Sequence, residues 1–399
     1  VELVLTYNGQ IFDVGFDYGQ SEHLMQGYIP ASAKFSVCGT LLVTRNARMQ
    51  LVLDGHNDVL LRLWQTSKSG GDPVAEFIDG VANGHIDAPR AKAGGLAGGF
   101  CAVYIPSGDL TLGGPDANGH YVTPLAAPLE RLPSLDIAME KISIALELER
   151  AKGWKLCRST GDIRRAMEEG IFAAILHIEG CEALDKELKT LDVLYAAGLR
   201  SLGPVWSRHN AFGYGVPFAF PMSPDTAPGL TPAGFDLIRR CDELGIMIDL
   251  SHITEKGFWD VAKTSKQPLV ATHSNAHALT AVARNLTDRQ MDAIKDTKGI
   301  AGLNYAVPML RADSRNDADT PLSDMVRHID YMVERMGIDC VALGSDFDGA
   351  TIPAAIGDAA GNQALVSALA EAGYSDEDLS KICRENWLRV LAQVWHEPA

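Results

Sequence analysis

Six side chains of the kinds that hold metal ions or move protons, His56, Asp58, Glu179, His252, His273 and Asp346, lie far apart in the chain, yet each closes a short apolar run. In Asp54-Gly55-His56-Asn57-Asp58, a strand that continues through the segment puts an imidazole and a carboxylate on one face, because strand side chains alternate with a period of two. Such a pair can grip one divalent ion. Glu179 ends its run in His177-Ile178-Glu179-Gly180. His252, in Asp249-Leu250-Ser251-His252, and His273, in Ala271-Thr272-His273-Ser274, each end a run that a helical pattern follows. Taken singly, each has a commoner structural use: a polar turn for the first segment, a cap or ion-pair partner for the glutamate, a hydrogen-bonded core residue for each histidine. Their joint occurrence on four separate runs favours one metal centre.

The ligand count predicts two ions. Five protein ligands exceed the three that a mononuclear catalytic zinc uses beside its water. With Glu179 as bridge, His56 and Asp58 serve one ion, His252 and His273 the other, and a water or hydroxide lies between them. Imidazole and carboxylate without thiolate suit Zn²⁺. Such a centre lowers the pKa of water and polarises a carbonyl, which makes amide hydrolysis its natural use. Asp346, in Gly344-Ser345-Asp346-Phe347-Asp348-Gly349, is placed to take a proton and pass it to a leaving amine. Asp348 is read as a turn residue. Arg284, in Val282-Ala283-Arg284-Asn285, has the planar fork that clamps a carboxylate, though a loop arginine with no such role is the plain alternative.

These residues need a scaffold that brings run ends together. Eight β-branched-rich or apolar runs recur, at Gln50–Asp54, Gly99–Ile105, Phe172–His177, Leu199–Val205, Ile246–Leu250, Leu269–Thr272, Ile300–Asn304 and Cys340–Leu343. Between them, Pro232–Leu244, Glu255–Thr264, Asp288–Lys295 and Ser323–Met336 carry apolar residues at helical spacing. Gly245, Gly299 and Gly337 stand where C-terminal caps are expected. Strands apolar on both faces, alternating with helices, predict an α/β (β/α)8 barrel of the metal-dependent hydrolase type. Its domain spans 49–399, within the size range of barrels that carry insertions. Residues 1–48 read as a separate β-rich extension, with strand-like segments at Val1–Phe16 and Lys34–Thr44. The Gly- and Pro-rich excursion Pro106–Pro133 is expected over the mouth of the barrel, and Asn362–Trp395 is expected to be helical, beside or beneath it.

Composition narrows the partners. With 46% apolar and 22% charged residues, the chain has the make-up of a globular enzyme. A net charge of -16 disfavours nucleic acid and anionic membranes as partners. No apolar run reaches the roughly 18 residues of a membrane span, and no signal-like segment opens the chain, so a cytoplasmic location without a membrane anchor is expected. Seven cysteines without a CxxC pair suggest reduced thiols.

In this order and spacing, DGHND, HIEG, LSH, the TH of ATHSNAH, the RN that follows and GSDFDG resemble the membrane dipeptidase (renal dipeptidase) family of zinc metallopeptidases, peptidase family M19. The resemblance covers residues 50–395. It implies two zinc ions bridged by Glu179 and water, hydrolysis of dipeptides including those with a C-terminal D-residue, and a homodimer. Carried over motif by motif, His56, Asp58, Glu179, His252 and His273 are ligands, Asp346 handles the proton and Arg284 binds the dipeptide carboxylate. One segment departs. Many members have, after the fourth strand, a histidine in a TH-x-x-N context that supports the developing charge on the scissile carbonyl; this chain has Trp206 there. His209 and Asn210 are the nearest substitutes and, with Tyr305 near the end of the seventh run, join Arg284 as candidate substrate-binding residues. Pro217, Phe218 and Phe220 are candidates for a pocket wall, and Asn304 also falls near the mouth. Two other readings stay open: a binuclear amidohydrolase on another amide, although such enzymes usually show HxH and a carboxylated lysine, and a catalytically silent binding protein.

Overall fold

Each of the eight apolar runs contains a strand, and within two ladders each strand pairs in parallel with the next. The computed structural model describes residues 2–7, 10–15, 49–108 and 115–396. The chain divides into two units, Val1–Ala47 and Arg48–Ala399. In the first, Glu2–Tyr7 and Gln10–Gly15 form an antiparallel hairpin; the strand expected at Lys34–Thr44 lies outside the described residues. In the second, the barrel strands are β1 (Val52–Asn57), β2 (Leu96–Tyr104), β3 (Phe172–Glu179), β4 (Leu199–Gly203), β5 (Met247–Ile248), β6 (Val270–Ala271), β7 (Ile300–Asn304) and β8 (Val341–Gly344).

Regular ladders join β1 through β5 and β6 through β8. At the two remaining seams the ring closes on single parallel bridges, Asp249 with Val270 and Asn57 with Phe347. A buried aspartate reinforces each seam. Asp249 accepts from the Thr272 backbone N–H at 2.8 Å and its hydroxyl at 2.7 Å, and Asp54 accepts from the Ser345 N–H at 2.6 Å and its hydroxyl at 2.8 Å. Hydrogen bonds to a buried carboxylate are stronger than neutral ones, which suits a seam where the ladder is thin. Burial still raises Asp54 to about 6 despite the Ser345 and Asn57 donors.

Period-two alternation sorts the strand residues into two layers. Leu53, Phe100, Ile175, Met247, Val270 and Ile300 point inward and pack as one cluster. Cys101, Leu176, Leu202, Ile248, Leu303 and Val341 point outward against the helices. Those helices include α1 (Val59–Lys68), α2 (Arg131–Arg150), α3 (Lys189–Ala197), α4 (Pro232–Leu244), α5 (Glu255–Thr264), α6 (Asp288–Asp296) and α7 (Leu322–Met336). Their ends follow cap chemistry. Thr231 and Thr254 accept from the N–H groups of Gly234 and Gly257, and Gly245 takes the left-handed conformation at φ 68°. The cap expected at Gly299 is not one: Thr297 caps α6, and Gly299 sits where a Cβ would overlap the Leu269 carbonyl.

The bottom of the barrel is stopped by α8 (Asn386–Val394). Trp387 is fully buried among the inward residues and donates its indole N–H to Leu343 O at 3.1 Å. Gly55 and Gly302 leave the room its ring occupies. The expected C-terminal helices therefore do lie beneath the barrel. No helix of the described residues is long and apolar enough to cross a membrane. The six described cysteines are free and buried.

Candidate metal centre

The C-terminal ends of the barrel strands bring His56, Asp58, Glu179, His252, His273 and Asp346 to one spot. Three imidazole nitrogens surround a single carboxylate oxygen: Glu179 Oε1 lies 3.0 Å from His252 Nε2, 3.5 Å from His273 Nε2 and 3.7 Å from His56 Nε2. His252 Nε2 and His273 Nε2 face each other at 3.2 Å, and Asp58 Oδ2 is 3.4 Å from His56 Nε2. Two overlapping groups have ligand atoms close enough to hold an ion, His56 with Glu179 and His273, and His56 with Asp58 and Asp346.

How these side chains converge differs from simple strand alternation. The β1–β2 register shifts between Asp54 and Asn57, and Asp58 has left the strand to become the residue before α1. Such an irregularity re-aims a side chain, so His56 and Asp58 meet through the kink. His252 (φ 68°), Asp346 (φ 60°) and Asp348 (φ 64°) adopt the left-handed conformation rare for residues with a Cβ. Backbone strain of this kind costs on the order of 1–3 kcal/mol per residue and persists only where the surroundings hold it. Gly349 completes the turn: a Cβ there would overlap Asp58 Oδ2.

The far nitrogens of two rings are fixed by hydroxyls. Ser207 Oγ is 2.8 Å from His252 Nδ1, and Thr272 Oγ1 is 2.8 Å from His273 Nδ1 while donating to Asp249. Outer-shell bonds of this kind set the tautomer and orientation of a ligating imidazole. Asp249, Thr272, Ser207 and Gly349 carry no chemistry in the sequence reading. An aspartate inside an apolar strand, as in Ile248-Asp249-Leu250, is the signal that marks the first of them.

The electrostatics are those of charged groups crowded out of water. Burial lowers the pKa of His252 and His273 well below the usual value, and the neighbouring His56 and Arg284 add to this. Burial also opposes charge on His56, but the Glu179, Asp58 and Asp346 carboxylates outweigh it and raise the ring to about 10. Burial raises Glu179 to about 8, with His56 opposing, and pushes the Asp346 carboxyl up as well. His177, deeper in the bore with Nδ1 2.8 Å from Ser201 Oγ, is held down at about 3 by burial.

A divalent cation fits these residues. The donors are nitrogen and oxygen only, two of the rings are set by burial to stay neutral, and His56 Nε2 and Asp58 Oδ1 are buried with no hydrogen-bond partner among the described residues. Unpaired buried polar atoms are costly unless something else satisfies them.

The centre forms part of the floor of a cavity of about 1340 Å³. Arg284 lines it, buried, with one amino group 3.3 Å from His273 O and its Nε unpaired; burial lowers it to about 10 against the pull of Asp346 and Glu179. Asn304 donates to Asp346 Oδ2 at 3.0 Å. Tyr104, Trp206 and Phe218 also line the cavity. The loop after β2 does reach the mouth, where Tyr121–Val122 pairs with Ala219–Phe220.

Three candidate substrate-binding residues are not at the mouth. Tyr305 is fully buried in the layer outside the barrel, its hydroxyl donating to Asn362 Oδ1 at 3.1 Å. Alternation that turns Asn304 inward turns Tyr305 outward. Asn210 organises its own loop, donating to Pro204 O at 2.9 Å and accepting from Phe212 N–H at 2.8 Å. His209 packs edge-on to Tyr214, away from the cavity wall. Its neighbour Arg208, which the motifs do not mark, turns inward instead. It is fully buried, paired with Glu182 at 3.0 Å, and donates to Ile105 O and Ser107 Oγ.

The family model for membrane dipeptidase (peptidase family M19) matches residues 44–397. A solved metallo peptidase from Rhodobacter sphaeroides, liganded with a phosphinate mimic of the dipeptide L-Ala-D-Ala, is similar with a TM-score of 0.83 and 43% identity, covering 87% of this chain and 100% of that one. A solved structure of the dipeptidase AC has a TM-score of 0.82 and 44% identity, over 87% of this chain and 99% of that one. A Klebsiella pneumoniae relative described as an uncharacterised protein in the pqqA 5' region is 50% identical over 265 residues, 66% of this chain and 98% of its own length.

Proposed function

Because the chain belongs to the membrane dipeptidase family, peptidase family M19, we propose that it is a binuclear zinc dipeptidase that accepts a C-terminal D-residue. The observation that carries this reading is the gathering of three imidazole nitrogens around Glu179 Oε1, with Arg284 and Asp346 lining the same cavity. His56 and Asp58 would hold one ion and His252 and His273 the other, with Glu179 shared between the two sets. Two such ions supply an activated water and a polarised carbonyl.

The remaining work falls to the protein's own groups. Arg284 binds the C-terminal carboxylate of the substrate, and its unpaired Nε is free to join a two-point contact. Asp346, aligned by Asn304, takes a proton from the attacking water and delivers it to the leaving amine as the C–N bond breaks, so that one dipeptide and one water become two amino acids. Tolerance of a D-residue is supported by the ligand described for the Rhodobacter sphaeroides structure.

The test is an assay of the zinc-loaded protein against L,L and L,D dipeptides, with a chelated sample beside it and the metal counted per chain. The expected result is about two zinc ions per chain and turnover that chelation removes and zinc restores. Turnover of another amide but of no dipeptide would point to a different hydrolase, and bound metal without any turnover to a binding protein.

A further inference from the structure

Amide hydrolysis needs a donor aimed at the oxygen on which negative charge develops, and the cavity wall contains one that has no other employment. Trp206 follows β4, lines the cavity and is 8% exposed. Its indole ring is 5.7 Å from the His252 ring, next to Glu179. Indole nitrogen is a donor only, and Trp206 Nε1–H donates to nothing among the described residues. It is also absent from the buried unpaired atoms, so the small exposed part of the residue includes that N–H, on a residue that lines the cavity.

The ring is held, as a preorganised donor must be. Tyr104 packs against it at 4.9 Å and Phe218 at 5.6 Å. The guanidinium of Arg208 lies 5.4 Å from the ring centre, fixed in turn by Glu182 and by Ile105 O. Of the hydroxyls beside the ring, Tyr104's pairs with Ser107 Oγ at 3.4 Å, and Ser207, whose Oγ is 2.8 Å from His252 Nδ1, does not line the cavity.

We propose that Trp206 is a catalytic residue whose indole N–H donates to the oxygen of the scissile carbonyl as the tetrahedral intermediate forms. The bond is made to the developing alkoxide and released as the carbonyl re-forms. This rests on the dipeptidase reading. It also gives Tyr104, Phe218 and Arg208 a shared purpose, which is to hold one ring in one orientation.

Trp206→Phe keeps the aromatic wall and removes the donor; Trp206→His restores a donor on a ring. With zinc content and thermal midpoint checked for each, kcat, KM and the dissociation constants of a phosphinate dipeptide mimic and of the product amino acids are measured. The expected result for Trp206→Phe is a fall in kcat of about 10²–10³-fold, the usual cost of one oxyanion donor. KM and product affinity stay near wild type, phosphinate affinity falls with kcat/KM, and Trp206→His recovers part of the loss. A Trp206→Phe protein with wild-type kcat, or one whose kcat falls while phosphinate affinity is unchanged, overturns the proposal and leaves Trp206 as packing. A wild-type protein that hydrolyses no dipeptide overturns the dipeptidase reading itself, and this assignment with it.

Discussion

The two ends of the barrel are built on opposite principles. The lower end is dry: Leu53, Phe100, Ile175, Met247, Val270 and Ile300 close on Trp387, with every polar atom of that indole satisfied. The upper end gathers buried imidazoles and carboxylates, orphaned polar atoms and three side-chain-bearing residues at positive φ. Burial of apolar surface stabilises the fold, whereas unpaired polar groups and strained backbone cost stability. The lower end therefore holds the strands in register so that the upper end can tolerate an arrangement the chain would not adopt for its own stability. The seams repeat the division on a smaller scale, since the two single-bridge closures are fastened by Asp54 and Asp249 next to the residues that form the centre.

Changes at the two ends should then separate activity from stability. Asp346→Asn at the upper end is expected to lower kcat by about 10²–10⁴-fold, the range for loss of a general acid–base. Its urea midpoint should be unchanged or raised, because a neutral amide relieves a carboxyl that burial disfavours. A matching loss of stability would erase the distinction. Trp387→Ala at the lower end should do the reverse and cost about 3–5 kcal/mol of unfolding free energy, as large-to-small core changes do. The kcat of the folded fraction should stay near wild type, read at 25 °C against an active-site titration.

A third variant asks whether the upper end is also braced from outside. His328, on α7, accepts from Ala276 N–H at 3.2 Å and donates from Nε2 to Leu310 O at 3.0 Å, beneath the loop that carries Arg284. Burial lowers its pKa from 6.5 to about 4. Between those values the unfolded chain takes up a proton that the folded chain refuses, so stability rises with pH. The contribution is complete above about pH 6.5 and is lost as pH falls toward 4, a change on the order of 3 kcal/mol. Urea midpoints at pH 7 and pH 4.5 should diverge more for the wild type than for His328→Gln; parallel losses would remove His328 from the account. The smallest effect is expected from Thr272→Val, which takes the hydroxyl from His273 Nδ1. Zinc affinity, measured by competition with a chelator, should weaken about 10–100-fold, and the metal-free protein's midpoint should fall as well, because Asp249 Oδ2 loses its Thr272 hydroxyl donor at the seam.

Much of this was written locally in the chain. Helices α4 and α5 span Pro232–Leu244 and Glu255–Thr264, as their apolar spacing and, for α4, Gly245 indicate, because caps and helical spacing act within a few residues. The strand ends were legible for the same reason, and with them the meeting of His56, Asp58, Glu179, His252, His273 and Asp346, since parallel strands in one barrel must present their C-terminal ends together. What local pattern did not contain is direction at the ends of those strands. A ladder shift beside His56, positive φ at His252 and Asp346, and the turn that sends Arg208 inward and His209 aside depend on contacts between segments far apart in sequence. Tyr305 shows how little separates the two outcomes: one residue beyond Asn304, it faces the helices rather than the cavity. Residue types and spacing determined which groups meet and the class of chemistry they perform. Only the tertiary structure decided where each side chain points, and so left Trp206 on the cavity wall with an indole N–H that bonds to no described residue, because orientation at a strand end is set by what packs around it.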